Sequence, residues 1–448
     1  MLRIAIIGSG PAGIYATEAL TRTGDVSVDV FDALPCPYGL VRYGVAPDHP
    51  KIRSIVATLR TVLEHPQVRF VGNVQVGKDL SIEDLDRHFD ATIVASGAAL
   101  GRRMGIPGED LPGSFSATDF VAWYNGHPDS PLDQFTLDAR TAVVVGMGNV
   151  AVDVARILAK SADDLRGTDL PHHVLEVLER SSITDIHMIG RRGPVQAKFT
   201  TKELRELGEL HHADVVVDPA ELVPDAASEL ALATSPAARR NLEALQEWSQ
   251  RPLQGRPRRL HLRFWLRPLA VLGEDRVSGL LVERTQATET GGAAGTGDTW
   301  PIDADMVLRS IGYRGTSLPG LPFDHDAAVV PNDRGRVLLE DGTQLPRWYV
   351  AGWIKRGPTG VIGTNRRDAY ETVTSLIEDA PGGPEVNRDP EAVTQLLAQR
   401  GVLAVTWDGW NAIDVAETEL GRSQGRDRAR IAQREMLLQF ARAQIASA

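Results

Sequence analysis

The stretch Ile4–Gly13, with the sequence IAIIGSGPAG, decides the fold at the start of the chain. A short apolar run precedes glycines spaced as GxGxxG, and a helical pattern follows them to about Thr21. This order is typical of a dinucleotide-binding βαβ unit, in which Gly8 permits a tight turn, Gly10 lets the backbone approach a pyrophosphate and Gly13 lets the helix pack on the strand. A chance glycine-rich turn is the alternative interpretation.

An acid stands where such a unit binds ribose. Asp32 ends the next predicted strand, Val26–Phe31, about 20 residues beyond the glycines. A carboxylate at that position can accept hydrogen bonds from both ribose hydroxyls, which suits the adenosine of FAD. Strand, helix and acid therefore stand in register, which favours a nucleotide site over a chance turn.

A second fingerprint, Gly146–Ala151 with the sequence GMGNVA, follows the apolar strand Thr141–Val145 and opens a helix. Its partner strand, Asp185–Ile189, has no acid after it and leads instead to Arg191 and Arg192. Two guanidiniums suit the 2′-phosphate of NADP, which a carboxylate would repel. Each charged hydrogen bond contributes about 1.5–3 kcal/mol, enough for two of them to favour NADP over NAD by about a hundredfold. An arginine pair on a solvated turn is the alternative.

Opposite charges at the two ribose positions imply two different ligands, FAD at Asp32 and NADPH at the arginines. One chain that holds both implies hydride transfer between a nicotinamide and a flavin. The late strand Trp348–Gly352 resembles a returning strand of the first sheet, so one dinucleotide-binding domain is predicted to be inserted into the other.

The predicted fold is therefore α/β, with two Rossmann-like domains in a glutathione-reductase-like arrangement. We expect residues 1–105 to begin the FAD-binding domain, 106–316 to form the NADP-binding domain, and 317–448 to complete the FAD-binding domain and add a C-terminal helical tail. Trp407 and Trp410 are candidate anchors of that tail. The stretch Thr288–Gly297, rich in Gly, Ala and Thr, is expected to be an exposed loop.

The segment Gly352–Thr364, GWIKRGPTGVIGT, follows the late strand and precedes a helical run. A helix that starts there and points at the flavin pyrimidine would stabilise the negative charge of reduced flavin. Trp353 is placed to pack near the ring stack. A core tryptophan and an ordinary helix entry are the structural alternatives.

The composition of the chain excludes several classes of site and of protein. The chain has 448 residues, 42% of them hydrophobic, a formal net charge of −11 and one cysteine, Cys36. A single cysteine excludes a disulfide scaffold, a four-cysteine iron–sulfur or zinc site and a CxxC relay, and we expect no metal. The acidity argues against nucleic-acid binding, and no apolar run approaches the ~18 residues of a membrane span. A strand pattern from Leu2 onward, without signal-peptide features, predicts a cytoplasmic enzyme, and nothing requires more than a monomer.

One segment is basic, although the chain as a whole is acidic. Between Trp248 and Gly273 there is no Asp or Glu, and arginines are interleaved with Phe264 and Trp265. This pattern predicts a docking patch for an acidic iron–sulfur partner, and a solvated face or arginines paired with distant acids is the alternative. The arginines of this segment and just before it are Arg239, Arg240, Arg251, Arg256, Arg258, Arg259, Arg263 and Arg267.

Taken together, the motifs resemble those of the adrenodoxin-reductase-like ferredoxin–NADP reductases, including their bacterial members, over nearly the whole chain. The motifs that carry this resemblance are GSGPAG at Gly8, PYGLVRYGVAPDHP at Pro37–Pro50, GNVAVDVARIL from Gly148, GRRGP from Gly190, FTTKELREL from Phe199 and GWIKRGPTGVI from Gly352. The family usually has Glu where this chain has Asp32.

The resemblance extends the candidate sites. The FAD site would comprise Gly8, Gly10, Ala12, Gly13, Asp32, Leu40, Val76, Trp353, Gly360, Val361 and Ile362. The NADP site would comprise Gly146, Gly148, Asn149, Val150, Arg191, Arg192, Glu203 and Gly360.

The resemblance also pairs His49 with an acid of the KELRE segment, Glu206, as candidate catalytic residues that tune the nicotinamide pocket or relay protons. A purely structural ion pair is the alternative. The activity it implies is that of an NADPH:ferredoxin oxidoreductase, in which hydride passes from NADPH to FAD and single electrons pass to a separate ferredoxin. An NADPH-dependent diaphorase or quinone reductase, and a flavin-binding redox sensor that does not turn over, are the rival functions.

Overall fold

The computed structural model describes residues 1–288, 292–360, 362–379 and 386–443. The chain divides into two compact units. The first unit comprises Met1–Leu100, Asn125–Ser130 and Tyr313–Ala448, and the second comprises Gly101–Tyr124 and Pro131–Gly312.

Strands and helices are numbered in chain order. The strands are β1 (Leu2–Ile7), β2 (Val26–Phe31), β3 (Val68–Val71), β4 (Ala91–Val94), β5 (Leu100–Gly101), β6 (Ser114–Ser116), β7 (Thr141–Val145), β8 (Asp185–Ile189), β9 (Ala213–Val217), β10 (Arg258–Arg263), β11 (Leu266–Leu272), β12 (Gly279–Ala287), β13 (Ala293–Asp303), β14 (Met306–Arg309), β15 (Tyr313–Arg314), β16 (Asn332–Asp333), β17 (Arg336–Leu338) and β18 (Gln344–Val350). The helices are α1 (Pro11–Thr21), α2 (Leu40–Tyr43), α3 (Pro50–Arg53), α4 (Ile55–Leu63), α5 (Ile82–His88), α6 (Ala117–Tyr124), α7 (Asn149–Ala159), α8 (Ala162–Leu165), α9 (His172–Glu179), α10 (Thr201–Gly208), α11 (Ala226–Thr234), α12 (Pro236–Ser249), α13 (Trp353–Arg356), α14 (Ile362–Glu378), α15 (Pro390–Gln399), α16 (Trp407–Ser423) and α17 (Arg434–Ala443).

The first unit is built on a sheet whose seven described strands run in the order β16-β17-β18-β4-β1-β2-β3. The strands from β18 to β3 are parallel, and β16 and β17 add an antiparallel edge. Strand β1 is buried along nearly its whole length because helices cover both faces of a parallel sheet. The return of β18 beside β4 agrees with the predicted late strand of the first sheet.

The second unit contains a parallel sheet with six described strands in the order β6-β14-β7-β8-β10-β9. The chain between β10 and β14 forms a separate antiparallel sheet of β11, β12 and β13. The two mainly parallel sheets, one in each unit, confirm the α/β class with two Rossmann-like folds.

One expectation about local structure is wrong. Thr288–Gly297 is expected from the sequence to be an exposed loop, but Ala293–Gly297 forms the start of β13 and pairs with β12 up to the Thr285–Gly295 pair, and residues 289–291 lie outside the described residues. Small residues hide this strand from a hydrophobicity pattern because backbone pairing, not side-chain burial, holds it. Within the described residues, helices long and apolar enough to cross a bilayer are not found.

Candidate functional site

The first glycine loop has the backbone geometry that its sequence predicts. Gly8 has φ +109, and a Cβ there would lie 2.5 Å from the carbonyl oxygen of Ala95. A Cβ at Gly13 would lie 1.9 Å from the carbonyl oxygen of Gly8, so helix α1 packs directly on the turn. Gly10 is the N-cap of α1 and no side chain caps the helix. The amides at this helix start can therefore face a phosphate group.

Asp32 lies directly after β2 and turns back to the same loop. Its Oδ2 accepts hydrogen bonds from the amide of Ser9 at 2.8 Å and from the Ser9 hydroxyl at 2.5 Å. Its Oδ1 accepts from the amide of Leu34 at 2.9 Å. Burial raises the pKa of this carboxyl, and the bonds from Ser9 and Leu34 act in the opposite direction. Three donors thus fix the acid at the ribose position.

Further residues of the candidate FAD site gather around this loop within the first unit. A Cβ at Gly352 would lie 2.5 Å from Cβ of Ala12, so the turn between β18 and α13 packs tightly on α1. Trp353 follows, its indole N–H donates to the carbonyl of Thr359 at 3.1 Å, and its ring lies 5.4 Å from that of Tyr313. The indole is therefore held in the loop that was predicted to meet the flavin.

The remaining candidates for FAD differ in how they are placed. Leu40 opens α2, Val76 is 7% exposed and packs in the apolar core of the first unit, and Ile362 begins the long helix α14. Gly360 is exposed with φ +84 just before that helix. Val361 lies outside the described residues. The predicted helix start after Gly360 is confirmed.

The second glycine loop has the same kind of backbone geometry as the first and is held by contacts of its own. Gly146 has φ +141, and a Cβ there would lie 2.1 Å from the carbonyl oxygen of Ser310. Gly148 caps α7 without a side-chain hydrogen bond, and a Cβ on it would meet no atom within 4 Å. Open space above a bare helix start is what a pyrophosphate requires. Asn149 and Val150 form the first turn of this helix.

The loop after β8 presents its two arginines outward while its backbone is fixed. The carbonyl of Arg191 accepts from the Thr285 hydroxyl at 2.8 Å, and that of Arg192 accepts from the Trp265 amide at 3.3 Å. Arg191 is exposed and Arg192 half-buried. Among the described residues, neither guanidinium has an acid as partner. Both charges are therefore available to a phosphate.

The acids of α10 sit close to the second loop. Thr200 caps α10 by accepting from the amide of Glu203 at 3.4 Å, and its own amide donates to Oδ1 of Asn149 at 2.8 Å. Glu203 is 8% exposed. Glu206 forms an ion pair with Arg156 at 2.6 Å, a partner that the sequence did not suggest.

His49 is 7% exposed in the first unit, where it is the N-cap residue of α3. Glu206 belongs to the second unit. Their predicted pairing joins residues of different units and stays a prediction.

The predicted docking patch stays a prediction, but acids of the second unit pair with most of its arginines. Arg259 pairs with Asp185 at 2.9 Å and Arg263 with Glu221 at 2.9 Å. Arg258 is 8% exposed and donates to backbone carbonyls instead of facing solvent. The other neutralised members are Arg256 with Asp214, Arg251 with Glu247 and Arg267 with Glu283.

Two members of the predicted patch, Arg239 and Arg240, are exposed on α12. Arg240 lines a surface groove between α10 and α12 together with Arg205, which no sequence motif indicates. Among the described residues, neither Arg205 nor Arg240 is paired with an acid. Arg205 lies inside the KELRE helix, where acidic and basic residues are mixed, so the local sequence does not mark it as a docking residue.

Other residues missed from the sequence support the first loop. Gly39 has φ +48, and a Cβ there would lie 3.0 Å from Cα of Gly10. Asp368 accepts from the amide of Gly352 at 2.5 Å, and Lys355 pairs with Asp368 at 3.3 Å and with Glu371 at 2.7 Å. These contacts join residues on different elements that lie 13 to 29 positions apart, so no local motif signals them.

Comparison with known proteins agrees with both loops. The family model described as pyridine nucleotide-disulphide oxidoreductase matches residues 2–215. The NADPH-ferredoxin reductase FprA of Mycobacterium tuberculosis is 43% identical, over 98% of each chain. The mitochondrial NADPH:adrenodoxin oxidoreductase of Arabidopsis thaliana is 39% identical, over 98% of this chain and 95% of its own.

A solved structure gives the same result in three dimensions. The Mycobacterium tuberculosis FprA in complex with NADPH superimposes with a TM-score of 0.92 at 42% identity, covering 98% of this chain and 99% of that chain. Identity of this extent over full length, together with the two glycine loops described above, shows that the chain belongs to the adrenodoxin-reductase-like ferredoxin–NADP reductases.

Proposed function

We propose that this protein is an NADPH:ferredoxin oxidoreductase that binds FAD at the first glycine loop and NADPH at the second. The observation that carries the proposal is the pair of complete glycine loops with opposite charge at the ribose position, Asp32 in one and Arg191 with Arg192 in the other. FAD, when bound, supplies the conversion between a two-electron hydride and single electrons.

The residues of the first unit fit FAD. The uncapped start of α1 at Gly10 would hold the pyrophosphate, and Asp32 would hold the adenosine ribose. Trp353 and the start of α14 would face the isoalloxazine, with the helix dipole favouring negative charge. We assign FAD to a domain formed by residues 1–105 and 317–448, with the helical tail at its end.

The residues of the second unit fit NADPH. The uncapped start of α7 at Gly148 would hold the pyrophosphate, and Arg191 with Arg192 would hold the 2′-phosphate. Glu203, buried at the start of α10, would border the nicotinamide end, with Gly360 as a backbone contact. We assign NADP to residues 106–316.

His49 and Glu206 act in this proposal by tuning the nicotinamide pocket or by relaying protons. Hydride transfer depends on alignment of the two reacting carbons more than on an acid or base. The pair would therefore adjust the rate without being indispensable. The contact of Glu206 with Arg156 at 2.6 Å fixes the orientation of that carboxylate.

The electron acceptor in this proposal is an acidic ferredoxin that docks at the groove between α10 and α12. Glu206 and Glu247 in this groove are already neutralised by Arg156 and Arg251. Arg205 and Arg240 are left to pair with carboxylates of the partner. Glu209 and Glu243 also line the groove, so the attraction would come from direct pairing and not from a broad positive field.

The remaining parts of the proposal are a cytoplasmic location and a monomeric state. A single experiment tests its centre: the purified protein is given FAD, its visible spectrum is recorded, and it is titrated anaerobically with NADPH before a ferredoxin or a quinone is added. We expect a yellow protein that is bleached by NADPH and reoxidised fastest by ferredoxin. A colourless protein refutes FAD binding, an unbleached one favours the redox sensor, and faster reoxidation by quinone favours the diaphorase.

A further inference from the structure

Helix α16, near the C-terminal end of the chain, packs on the segment that covers the first glycine loop. Trp410 and Glu417 lie about two turns apart on this helix and face the same side. Trp410 is 2% exposed, and its ring meets that of Tyr38 edge to face with centroids 5.9 Å apart. Glu417 is 0% exposed.

Glu417 is the centre of a buried, hydrogen-bonded charge network. Its carboxylate accepts from both terminal nitrogens of Arg42, at 2.6 and 3.1 Å, from Arg428 at 3.1 Å and from the amide of Ile431 at 3.0 Å. Burial opposes ionisation, but the charges of Arg42 and Arg430 outweigh it and lower the pKa of Glu417. A bidentate pair of this kind fixes the direction of the guanidinium as well as its position.

Arg42 transmits this constraint to the loop within a few residues. It is 3% exposed on α2, which begins directly after Gly39. A Cβ at Gly39 would lie 3.0 Å from Cα of Gly10, and the amide of Tyr38 donates to the carbonyl of Ser9 at 3.0 Å. Any displacement of Arg42 would therefore shift the backbone that contacts Ser9 and Gly10.

We propose that Glu417 is a positioning residue for the FAD site. Through Arg42 it holds α2 and the Tyr38–Gly39 segment against the glycine loop, so a carboxylate 375 residues away in sequence sets the shape of the pyrophosphate cradle. This inference rests on the proposed function, because it requires FAD at the first glycine loop.

The test compares Glu417→Gln with Asp29→Asn. Asp29 is a matched control in the same unit, since it is 1% exposed and paired with Arg3 at 2.6 Å, and its partners Arg3 and Arg69 are not part of the glycine loop. The FAD dissociation constant of each cofactor-free protein is measured by flavin fluorescence, and its unfolding midpoint is measured without FAD. Both substitutions leave a buried arginine without its anionic partner, so both midpoints should fall.

We expect Glu417→Gln to raise the FAD dissociation constant by about tenfold or more, and Asp29→Asn to leave it within about twofold of the wild-type value. Equal affinities of wild type and a folded Glu417→Gln variant, or equal weakening by both substitutions, would overturn the inference. If Glu417→Gln does not fold, Arg42→Lys replaces it, because it keeps the charge and loses the bidentate geometry. An unchanged constant for that variant overturns the inference, whereas a wild-type protein that does not bind FAD refutes the proposed function itself.

Discussion

Asp32 accepts two hydrogen bonds from Ser9, one from the backbone amide at 2.8 Å and one from the hydroxyl at 2.5 Å. The acid that follows β2 is thereby tied to the glycine loop that follows β1, before any nucleotide contact is considered. Because carboxylate oxygens have further lone pairs, Asp32 can hold the loop and still accept from a ribose. One side chain thus serves both the shape of the loop and the recognition of the ligand.

The substitution Asp32→Asn should weaken FAD binding, because a neutral amide gives up a charged hydrogen bond to ribose. The loss of one such bond, about 1.5–3 kcal/mol, corresponds to an increase of about tenfold or more in the FAD dissociation constant. Flavin fluorescence titration measures it. Asp25→Asn is the control, since Asp25 is 82% exposed just before β2. Equal affinities of the two variants would contradict the role of Asp32.

The fold was largely predictable because buried strands and helices have characteristic patterns of apolar residues in the sequence. Strand β2 was predicted at its observed limits, Val26–Phe31, since apolar residues alternate along it with Ser27 and Asp29 between them. Trp410 was a predicted anchor of the tail and is 2% exposed. By contrast, β13 is held by backbone pairing and shows no apolar alternation.

The parts of the site that the sequence did not reveal are those made by long-range charge pairing. The segment from Trp248 to Gly273 has no acid of its own, yet Asp185 and Glu221 reach its arginines from other strands and turns. Glu417 likewise meets Arg42 from the opposite end of the chain. Local composition therefore shows where charges are, but only the tertiary structure shows which of them are free.

Replacing Arg191 and Arg192 together with Gln should raise the KM for NADPH by about a hundredfold and leave that for NADH within about threefold. The loop should persist, because its backbone carbonyls are held by Thr285 and Trp265. Steady-state kinetics with both coenzymes measures the ratio, and Arg180→Gln, an exposed arginine of the same unit, is the control. Equal effects on NADPH and NADH would mean that the pair does not recognise the 2′-phosphate.

The substitution His49→Gln should slow NADPH-driven flavin reduction by roughly tenfold without abolishing it, since alignment and not proton transfer limits hydride transfer. Glu206→Gln should have a similar effect, and the double variant should lose less than the product of the two if the residues act together. Anaerobic stopped-flow absorbance follows the step. Complete loss of reduction in His49→Gln would assign it an indispensable acid–base role.

Charge reversal in the groove between α10 and α12, as Arg205→Glu with Arg240→Glu, should raise the KM for an acidic ferredoxin several-fold, and the effect should shrink with salt because exposed charges are screened beyond about 10 Å at 0.1 M. Reduction of a small one-electron acceptor should be unchanged. Arg276→Glu is the control, since Arg276 is 60% exposed in the same unit and does not line the groove. An equal change in the KM for ferredoxin in the groove variant and in Arg276→Glu would show that ferredoxin does not dock at this groove.

The second unit should lose stability as the pH falls, because His187 is buried in it and stacked on a second histidine. The rings of His187 and His261, on the paired strands β8 and β10, lie 4.3 Å apart and within 8° of parallel. Burial and then the charge of His261 lower the pKa of His187 from its ordinary 6.5 to about 4. Between these values the unfolded chain binds a proton that the folded protein excludes, so stability is complete above pH 6.5 and falls as the pH drops towards 4.

The substitution His187→Gln removes this proton linkage and should flatten the pH dependence of the free energy of unfolding between pH 6.5 and 4 by at most about 1.4 kcal/mol per pH unit. Urea denaturation at about pH 7.5, 6 and 5 measures this slope, since the first value lies above the ordinary pKa of histidine and the other two lie between the two pKa values of His187. His211→Gln is the control, since His211 is exposed. A slope that is the same in wild type and His187→Gln would show that the stacked pair does not exclude the proton.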